Sequence, residues 1–197
     1  MGLQLRHKRR KRISHTRVPM PVPTTVNERW SMDFMSDCLD NGKRFRVLTV
    51  VDVFSRECPL LAAGLSLTAQ RVIVYLEKLR GLRGLPKMIT VDNGSEFISK
   101  KMDAWAYYNG IKLDFIRPGK PTENAFIESF NGRLRDECLN AQVFNSTEDA
   151  QEKLESWRLD YNTNRPHSSI GNLPPSEFVE RFKKEASKTQ ILNLQMV

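Results

Sequence analysis

Three acidic residues, Asp33, Asp92 and Glu128, have the types and spacing best suited to catalysis in this chain. Asp33 lies in a stretch that alternates like a strand, Asp92 follows a short apolar strand, and Glu128 lies in a helical pattern after 35 intervening residues. Carboxylates without Cys or His partners suit hard cations such as Mg²⁺ or Mn²⁺ better than zinc. Two such cations can flank a phosphodiester, one activating water or a 3′-hydroxyl and the other stabilising the leaving oxygen. The trio therefore predicts a two-metal site for phosphoryl transfer.

Each acid taken alone has another interpretation. Asp33 could be an exposed strand residue, and Asp52 competes with it because it also lies in a predicted strand. Asp92 begins an Asp-Asn-Gly sequence that is typical of turns, and Glu128 could be a solvated helix acid. The three acids in this order are more specific than any one of them, because strand ends in open α/β sheets are where ligands gather.

The elements that position these acids fall into two halves. In the first half, alternating or Val-rich stretches separated by short turns, one of them Asn41-Gly42, predict an antiparallel meander. In the second half strands alternate with helices, which predicts parallel strands joined by right-handed crossovers. The predicted strands begin at Arg29 and span 45–53, about 58–65, 88–91 and 112–116, and the predicted helices span 69–82 and, capped by Ser95, 96–108. The fold class is therefore α/β, with a mixed five-stranded sheet and helices on both faces.

The helix that carries Glu128 follows a Pro/Gly turn, and its pattern predicts a span from 124 to about 139 with Thr122 as the N-cap. Polar side chains of this turn and helix could contact DNA phosphates, namely Lys120, Asn124, Asn131 and Arg135. Each of these four could equally be a surface residue that touches no ligand.

The charge of the chain is concentrated at its start. The net charge is +8, and seven basic residues precede the first acid, Glu28, which leaves +1 for the rest. Such a segment predicts salt-dependent, sequence-independent phosphate binding, with DNA contacts from Lys8, Arg9, Arg10, Lys11 and Arg12, although it could also be a solvated arm without a ligand. The domain boundaries that follow are a basic, Pro-containing arm at 1–27, a core at 28–145, a helical extension at 146–186 and a loose tail at 187–197.

Composition excludes several other classes of protein. The chain has three cysteines, an odd number without metal-ligand spacing, which argues against a disulfide framework or a zinc site. No apolar run approaches the ~20 residues of a membrane span, and no signal-peptide core follows the basic start. We expect a cytoplasmic protein that does not enter a membrane.

Four motifs together resemble a known family. They are Trp30-Ser-Met-Asp33-Phe, Val91-Asp92-Asn-Gly-Ser-Glu-Phe97, the stretch from Arg117 to Asn131, and Tyr161-Asn-Thr-Asn-Arg165-Pro-His167-Ser-Ser-Ile. Over 27–182 the chain looks like the integrase core of OrfB-type transposases of bacterial insertion sequences, relatives of retroviral integrase. The resemblance implies a ribonuclease-H-like fold and a metal-binding triad of the DDE type at Asp33, Asp92 and Glu128, with Mg²⁺ or Mn²⁺ as cofactor. It also implies hydrolytic cleavage of element ends and transfer of the freed 3′-hydroxyl to another strand.

The same resemblance implies DNA, both element ends and target, as the partner, a homo-oligomer on that DNA, and a place at the bacterial nucleoid. Family members usually carry a helix-turn-helix region before the core, where this sequence has the basic arm, and a separate helix-turn-helix subunit is a further partner that the resemblance allows. Two rival functions stay open: a non-catalytic DNA-binding regulator of transposition, and a nuclease of the same fold. Arg165 and His167 match a family motif, but the sequence assigns them no role beyond ordering a turn.

Overall fold

A computed structural model describes residues 22–117 and 125–195, with side chains as far as Lys188. The arm residues Lys8, Arg9, Arg10, Lys11 and Arg12, and in the turn Lys120, Thr122 and Asn124, lie outside this described part of the chain. Their predicted DNA contacts and the predicted cap are therefore still predictions.

A mixed five-stranded sheet forms the centre of the molecule, as predicted. Its strands lie in the order β3-β2-β1-β4-β5, with β1 antiparallel to β2, β2 antiparallel to β3, and β1, β4 and β5 mutually parallel. The Asn41-Gly42 turn joins β1 to β2, and Gly42 has the positive φ of 78° that such a turn requires. The strand bounds are β1 Arg29–Cys38, β2 Arg44–Asp52, β3 Leu60–Gly64, β4 Met88–Val91 and β5 Lys112–Phe115.

Helices cover both faces of the sheet. Alternation along β1 sends Trp30 and Met32 into the core beneath α1 and α2, and sends Met35 into a second core beneath α3 and α4. Asp33 has the same parity as Met35, so its side chain lies on the face that α3 covers. The helix bounds are α1 Ala69–Arg83, α2 Lys100–Tyr108, α3 Ala125–Leu134, α4 Thr147–Asn164 and α5 Pro175–Gln195.

Two helix boundaries differ from the predictions. Helix α2 begins at Lys100 rather than Glu96, and its N-cap is Ser99, whose side chain accepts a hydrogen bond from the Met102 backbone N–H. The residues before it form a turn in which the backbone N–H groups of Phe97 and Ile98 both bond to the Gly94 carbonyl. Ser95 lies inside this turn, where its hydroxyl donates to the Glu96 carboxylate, so it caps no helix.

The last helix was predicted to end near 186 and to be followed by a loose tail, but α5 runs to Gln195. No Gly or Pro follows Pro175, so nothing in the sequence stops the helix. The helix with Glu128 also changes character at its end, because residues Arg135–Leu139 form a π-helical turn that follows α3 directly. Such insertions are frequent at functional sites.

Candidate active site

Asp33 and Asp92 are brought side by side by the pairing of two parallel strands. Residues of β1 pair with residues of β4 at a constant offset, Arg29 with Met88 and Ser31 with Thr90. Asp92 directly follows Val91, the last residue of β4, and is close enough for its charge to act on Asp33. Neighbouring strands lie about 4.8 Å apart. The carboxyl end of β4 therefore delivers the second acid to the first, as strand ends in this kind of sheet do for ligand sites.

The Asp33 carboxylate is half-buried and held by two hydrogen bonds. Its Oδ1 accepts from the backbone N–H of Phe34 at 2.7 Å, and its Oδ2 accepts from the Asn131 side-chain amide at 2.8 Å. Burial raises the pKa of Asp33 above its ordinary value, and the negative charges of Asp92 and Glu128 raise it further, while the two hydrogen bonds lower it. Asp92 and Glu128 are thus close enough for their charges to act on Asp33, and this repulsion is what a bound cation would relieve.

Asp92 forms a local turn immediately after β4. Its Oδ1 accepts a hydrogen bond from the backbone N–H of Gly94 at 3.0 Å, the turn interaction typical of an Asp in this position. A Cβ on Gly94 would lie 2.9 Å from that oxygen. The carboxylate and the glycine are therefore in close contact, and only a residue without a side chain leaves the carboxylate in this orientation. The predicted turn role and the predicted site role of Asp92 are compatible.

Glu128 lies in the first turn of α3 and is exposed. Asn131 stands three residues further on and is buried, with only 8% of its surface exposed. Residues three apart share a helix face, so α3 presents the amide to Asp33 and the glutamate to the solvent at the rim of the same site.

A closed metal-ligand set is not formed: within the described ranges, no group of three His, Cys, Asp or Glu side chains is close enough to hold one ion. The donors are nevertheless the oxygen type that Mg²⁺ and Mn²⁺ prefer, and burial together with the charges of Asp92 and Glu128 raises the pKa of Asp33. These residues fit a divalent cation.

Asp52, the competitor of Asp33, has a structural role. It is fully buried at the far end of β2, where it pairs with Trp30 rather than with Asp33. Its carboxylate accepts from the backbone N–H groups of Asn27, Phe54 and Ser55, at 2.8 to 3.1 Å, and lies 3.4 Å from the Arg83 guanidinium. All of its hydrogen-bonding capacity serves the fold, so Asp33 and not Asp52 joins the acidic site.

Two residues predicted to contact DNA have protein partners. The Asn131 amide is bound to Asp33, and the Arg135 guanidinium donates to the Ser36 backbone carbonyl at 3.1 Å. Their DNA contacts stay predictions. Sequence reasoning missed the Asp33–Asn131 contact; its one signal was that Asn131 lies three residues after Glu128, on the same side of the predicted helix.

Arg165 and His167, the other residues of unassigned role, lie at the end of α4. Arg165 forms an ion pair with Glu137 in the π-helical turn, and this pairing lowers the pKa of Glu137. The His167 backbone N–H bonds to the Leu173 carbonyl in a short bridge, which agrees with a role in ordering the turn.

Solved structures similar to this chain share its fold. A chain of the simian T-cell lymphotropic virus intasome, in complex with PP2A regulatory subunit B56 gamma, aligns with a TM-score of 0.66 at 18% identity over 78% of this chain and 54% of that one. The HTLV-2 integrase catalytic core domain, in complex with magnesium and in trimeric form, aligns with a TM-score of 0.62 at 16% identity over 77% of this chain and 95% of that one. The fold is therefore of the ribonuclease-H-like class found in retroviral integrase cores.

Sequence comparison gives the family. Two models of the integrase core domain match residues 23–121 and 109–175. The 31.7 kDa protein of insertion element IS407 from Burkholderia multivorans is 42% identical over 94% of this chain and 67% of its own length. The 39.2 kDa protein of IS476 from Xanthomonas euvesicatoria is 40% identical over 96% of this chain and 55% of its own. The chain belongs to the integrase core family of insertion-sequence transposases, as its motifs predicted.

The chain spans about half to two thirds of these relatives. Transposase InsF for insertion sequence IS3A from Escherichia coli is 27% identical over 77% of this chain and 54% of its own length. None of the helices in the described part of the chain has the length and apolarity needed to cross a membrane.

Proposed function

We propose that this chain is the catalytic core of a transposase that cleaves DNA at the 3′ ends of an insertion sequence and joins those ends to target DNA. The observation that carries the proposal is that the charges of Asp92 and Glu128 act on the half-buried Asp33 within an integrase core. Asp33 lies on β1, Asp92 directly follows the neighbouring parallel strand β4, and both charges add to the burial that raises the pKa of Asp33. The proposed enzyme is a DDE-type polynucleotidyl transferase.

Asp33, Asp92 and Glu128 are the proposed ligands of two Mg²⁺ or Mn²⁺ ions. Bound there, such ions supply activation of the attacking oxygen and stabilisation of the leaving oxygen at a phosphodiester. The protein's own contribution is orientation: the amide of Asn131 and the N–H of Phe34 fix both oxygens of Asp33, and the N–H of Gly94 fixes Asp92. Carboxylates held in this way lose little freedom when a cation binds.

DNA is the proposed partner, as element ends and as target. Acid-lined sites that process DNA need cationic contacts elsewhere to bind the phosphates, and the arm with its seven positive charges before Glu28 is the proposed source. A homo-oligomer on DNA and a separate helix-turn-helix subunit are further proposals, and so is a location at the nucleoid in the cytoplasm.

The test is metal-dependent strand transfer. A labelled duplex with a free 3′-hydroxyl and a supercoiled plasmid target report joining, while nicking of the plasmid reports cleavage alone. Asp92→Asn and Glu128→Gln keep the shape of the site but remove charge, so joining should fall by at least ~10³-fold while DNA binding survives. Asp40→Asn and Glu180→Gln, which change exposed acids outside the site, are matched controls and should behave as wild type.

Binding of Mn²⁺, measured as the loss of the EPR signal of the free ion, provides a readout that does not require turnover. Wild type should bind the ion, and both site variants should bind it at least ~10-fold more weakly. Nicking without joining would identify a nuclease, and DNA binding with neither reaction nor Mn²⁺ binding would identify a regulator. Wild-type joining by either site variant would show that these acids are not the catalytic ligands.

A further inference from the structure

A cleft of about 380 Å³ lies behind α3, between that helix, the end of α4 and the turn after β2. Helix α3 contributes Phe126, Ser129 and Arg133, which share one face. Glu128 lies about 130° around the helix from the centre of that face, given 3.6 residues per turn. The cleft is therefore separate from the acidic site and opens on the opposite side of α3.

His167 lines this cleft and is more than nine-tenths buried, with 8% of its surface exposed. Its Nε2 is shielded from water and has no hydrogen-bond partner in the described part of the protein. The backbone on either side is fixed, since the His167 carbonyl accepts from the N–H groups of Ile170 and Asn172. A buried polar atom without a partner costs about 1–3 kcal/mol, and such atoms in a native fold call for an explanation.

Arg56 brings a second polar atom without a partner to the same cleft. Its Nη1 is buried and lacks a hydrogen-bond partner within the described ranges, while its Nε donates to the Ser169 hydroxyl at 3.1 Å. The guanidinium stacks 4.0 Å above the Phe126 ring, and the residue has a φ of 64°, a left-handed conformation that is uncommon outside Gly, Asn and Asp. Backbone strain of this kind is characteristic of functional sites.

The cleft is electropositive. Its lining includes Arg56 and Arg133, and no acidic side chain among the described residues lines it. Asp52 acts on Arg56 and Glu137 interacts with Arg133, but each of these acids is also paired with another arginine, Asp52 with Arg83 and Glu137 with Arg165. Asp160 lies with Arg133 around a neighbouring pocket. Burial lowers the pKa of His167 to about 4, and the positive charges of Arg133, Arg165 and Arg56 act in the same direction. Tyr161, the aromatic side chain against the imidazole, contributes no negative charge because burial raises its pKa far above neutrality.

We propose that this cleft is a phosphate-binding site that takes one backbone phosphate of duplex DNA. A small reorientation of the Arg56 and His167 side chains would bring their unpartnered nitrogens to the non-bridging oxygens of a phosphodiester, and Ser168 and Ser169 line the same space. A phosphate held there would fix a DNA strand on the side of α3 opposite Glu128. The choice of DNA as the source of the phosphate rests on the proposed function, whereas the anion site itself rests on the cleft.

The first experiment uses sulfate, a tetrahedral dianion whose charge does not change near neutral pH. The ring ¹H–¹³C signal of His167, assigned by its loss in His167→Asn, is followed against pH with sodium sulfate and with sodium chloride at equal ionic strength. An anion within a few ångströms favours the charged imidazolium, so sulfate should raise the pKa of His167 by about one unit or more. Sulfate should accordingly bind more tightly as the pH falls towards that pKa. An identical pKa in the two salts would overturn the site.

The second experiment uses a short DNA duplex, with affinity measured at several salt concentrations. Arg133→Gln changes an exposed residue on α3 and should preserve the fold, while Arg56→Gln tests the buried donor. Loss of one phosphate contact should lower the slope of log affinity against log salt by about 0.9. The matched control is Arg80→Gln on α1, which covers the other face of the sheet.

The outcomes separate this proposal from the proposed function. Asp92→Asn should abolish joining while leaving both the sulfate effect on His167 and the salt slope intact. Sulfate binding combined with an unchanged slope in Arg133→Gln and Arg56→Gln would overturn DNA as the source of the phosphate. An Arg80→Gln effect equal to that of Arg133→Gln would show that the slope reports general charge and would overturn the assignment to this cleft.

Discussion

Ionisation of Asp33 destabilises the folded protein, as expected of a carboxylate in the proposed metal site. Its carboxylate is half-buried beside two other acids, and its pKa is raised. A group whose pKa is higher in the folded state contributes stability below its unfolded pKa and loses that contribution as the pH rises through the folded value. Above that folded pKa the ionised Asp33 is therefore a source of instability, which a bound cation would remove.

Asp33→Asn should accordingly raise the melting temperature of the metal-free protein at pH 7 by a few degrees, since ~1 kcal/mol moves Tm by roughly 2–4 °C in a domain of this size. Asn131 can accommodate the change, because its Oδ1 is buried without a partner among the described residues and could accept from the new amide. The gain should disappear when thermal unfolding is repeated below the ordinary Asp pKa, and Mg²⁺ should stabilise wild type but not the variant. A variant less stable than wild type at pH 7 would contradict this account.

Gly94→Ala tests the orientation of Asp92. The added Cβ would lie 2.9 Å from Asp92 Oδ1, and the carboxylate is the movable partner, so it should rotate away. We expect Mn²⁺ affinity to fall by about 10-fold, the scale of a disturbed supporting contact, with little change in Tm. Gly132→Ala, where a Cβ would meet nothing within 4 Å, is the matched control for the EPR titration. Equal Mn²⁺ affinity in the two variants would show that Asp92 does not bind the ion in this orientation.

At the level of elements, strands could be predicted and some boundaries could not. The alternating pattern and the Asn41-Gly42 turn were sufficient to predict the antiparallel meander. A one-residue shift in the strand pairing would turn every side chain to the wrong face, so the pattern defines the pairing. The predicted start of α2 was wrong because Ser95 and Ser99 are both good capping residues. The choice between them depends on the turn at Gly94, which the Asp92 carboxylate helps to hold.

The contacts that could not be predicted from the sequence join residues that lie far apart in the chain. The hydrogen bond between Asn131 and Asp33 joins residues 98 positions apart in the sequence, and that between Arg56 and Ser169 joins residues 113 positions apart. Asp33, Asp92 and Glu128 could be singled out because each has a local pattern around it. No local pattern marks Arg56 as a partner of the turn that holds His167, so the cleft could be found only once the chain was folded.

Ser99→Ala and Ser95→Ala give a direct comparison of the two possible caps. Ser99 accepts from the Met102 N–H at 3.2 Å, and the loss of such a cap costs about 1 kcal/mol. Ser95 makes an exposed contact with the neighbouring Glu96, so its replacement should change stability by less than ~0.5 kcal/mol. Urea unfolding of both variants measures the difference. A larger loss of stability for Ser95→Ala would instead support the predicted start of α2 at Glu96.

In the described part of the molecule, the two proposed sites carry charges of opposite sign. Asp92 follows the carboxyl end of β4 and Glu128 lies on the exposed face of α3, whereas Arg56 and Arg133 line the cleft behind α3. Since the residues after the arm carry a net charge of only +1, attraction between the core and DNA must be local rather than general. The arm supplies the remaining positive charge, and its contribution can be separated from that of the cleft by deletion.

Deletion of residues 1–17 should weaken binding to unrelated duplexes and flatten the dependence of log affinity on log salt. Each phosphate that the arm neutralises adds about 0.9 to that slope, so full engagement of its seven basic residues would add about 6. The melting temperature should be nearly unchanged, because a highly charged, Pro-containing segment has little apolar surface to bury. Affinity measured at several salt concentrations, together with a thermal scan, makes the comparison. Arg133→Gln in the shortened chain should still lower the remaining slope by about one unit; equal slopes with and without the arm would instead place the DNA contacts on the core alone.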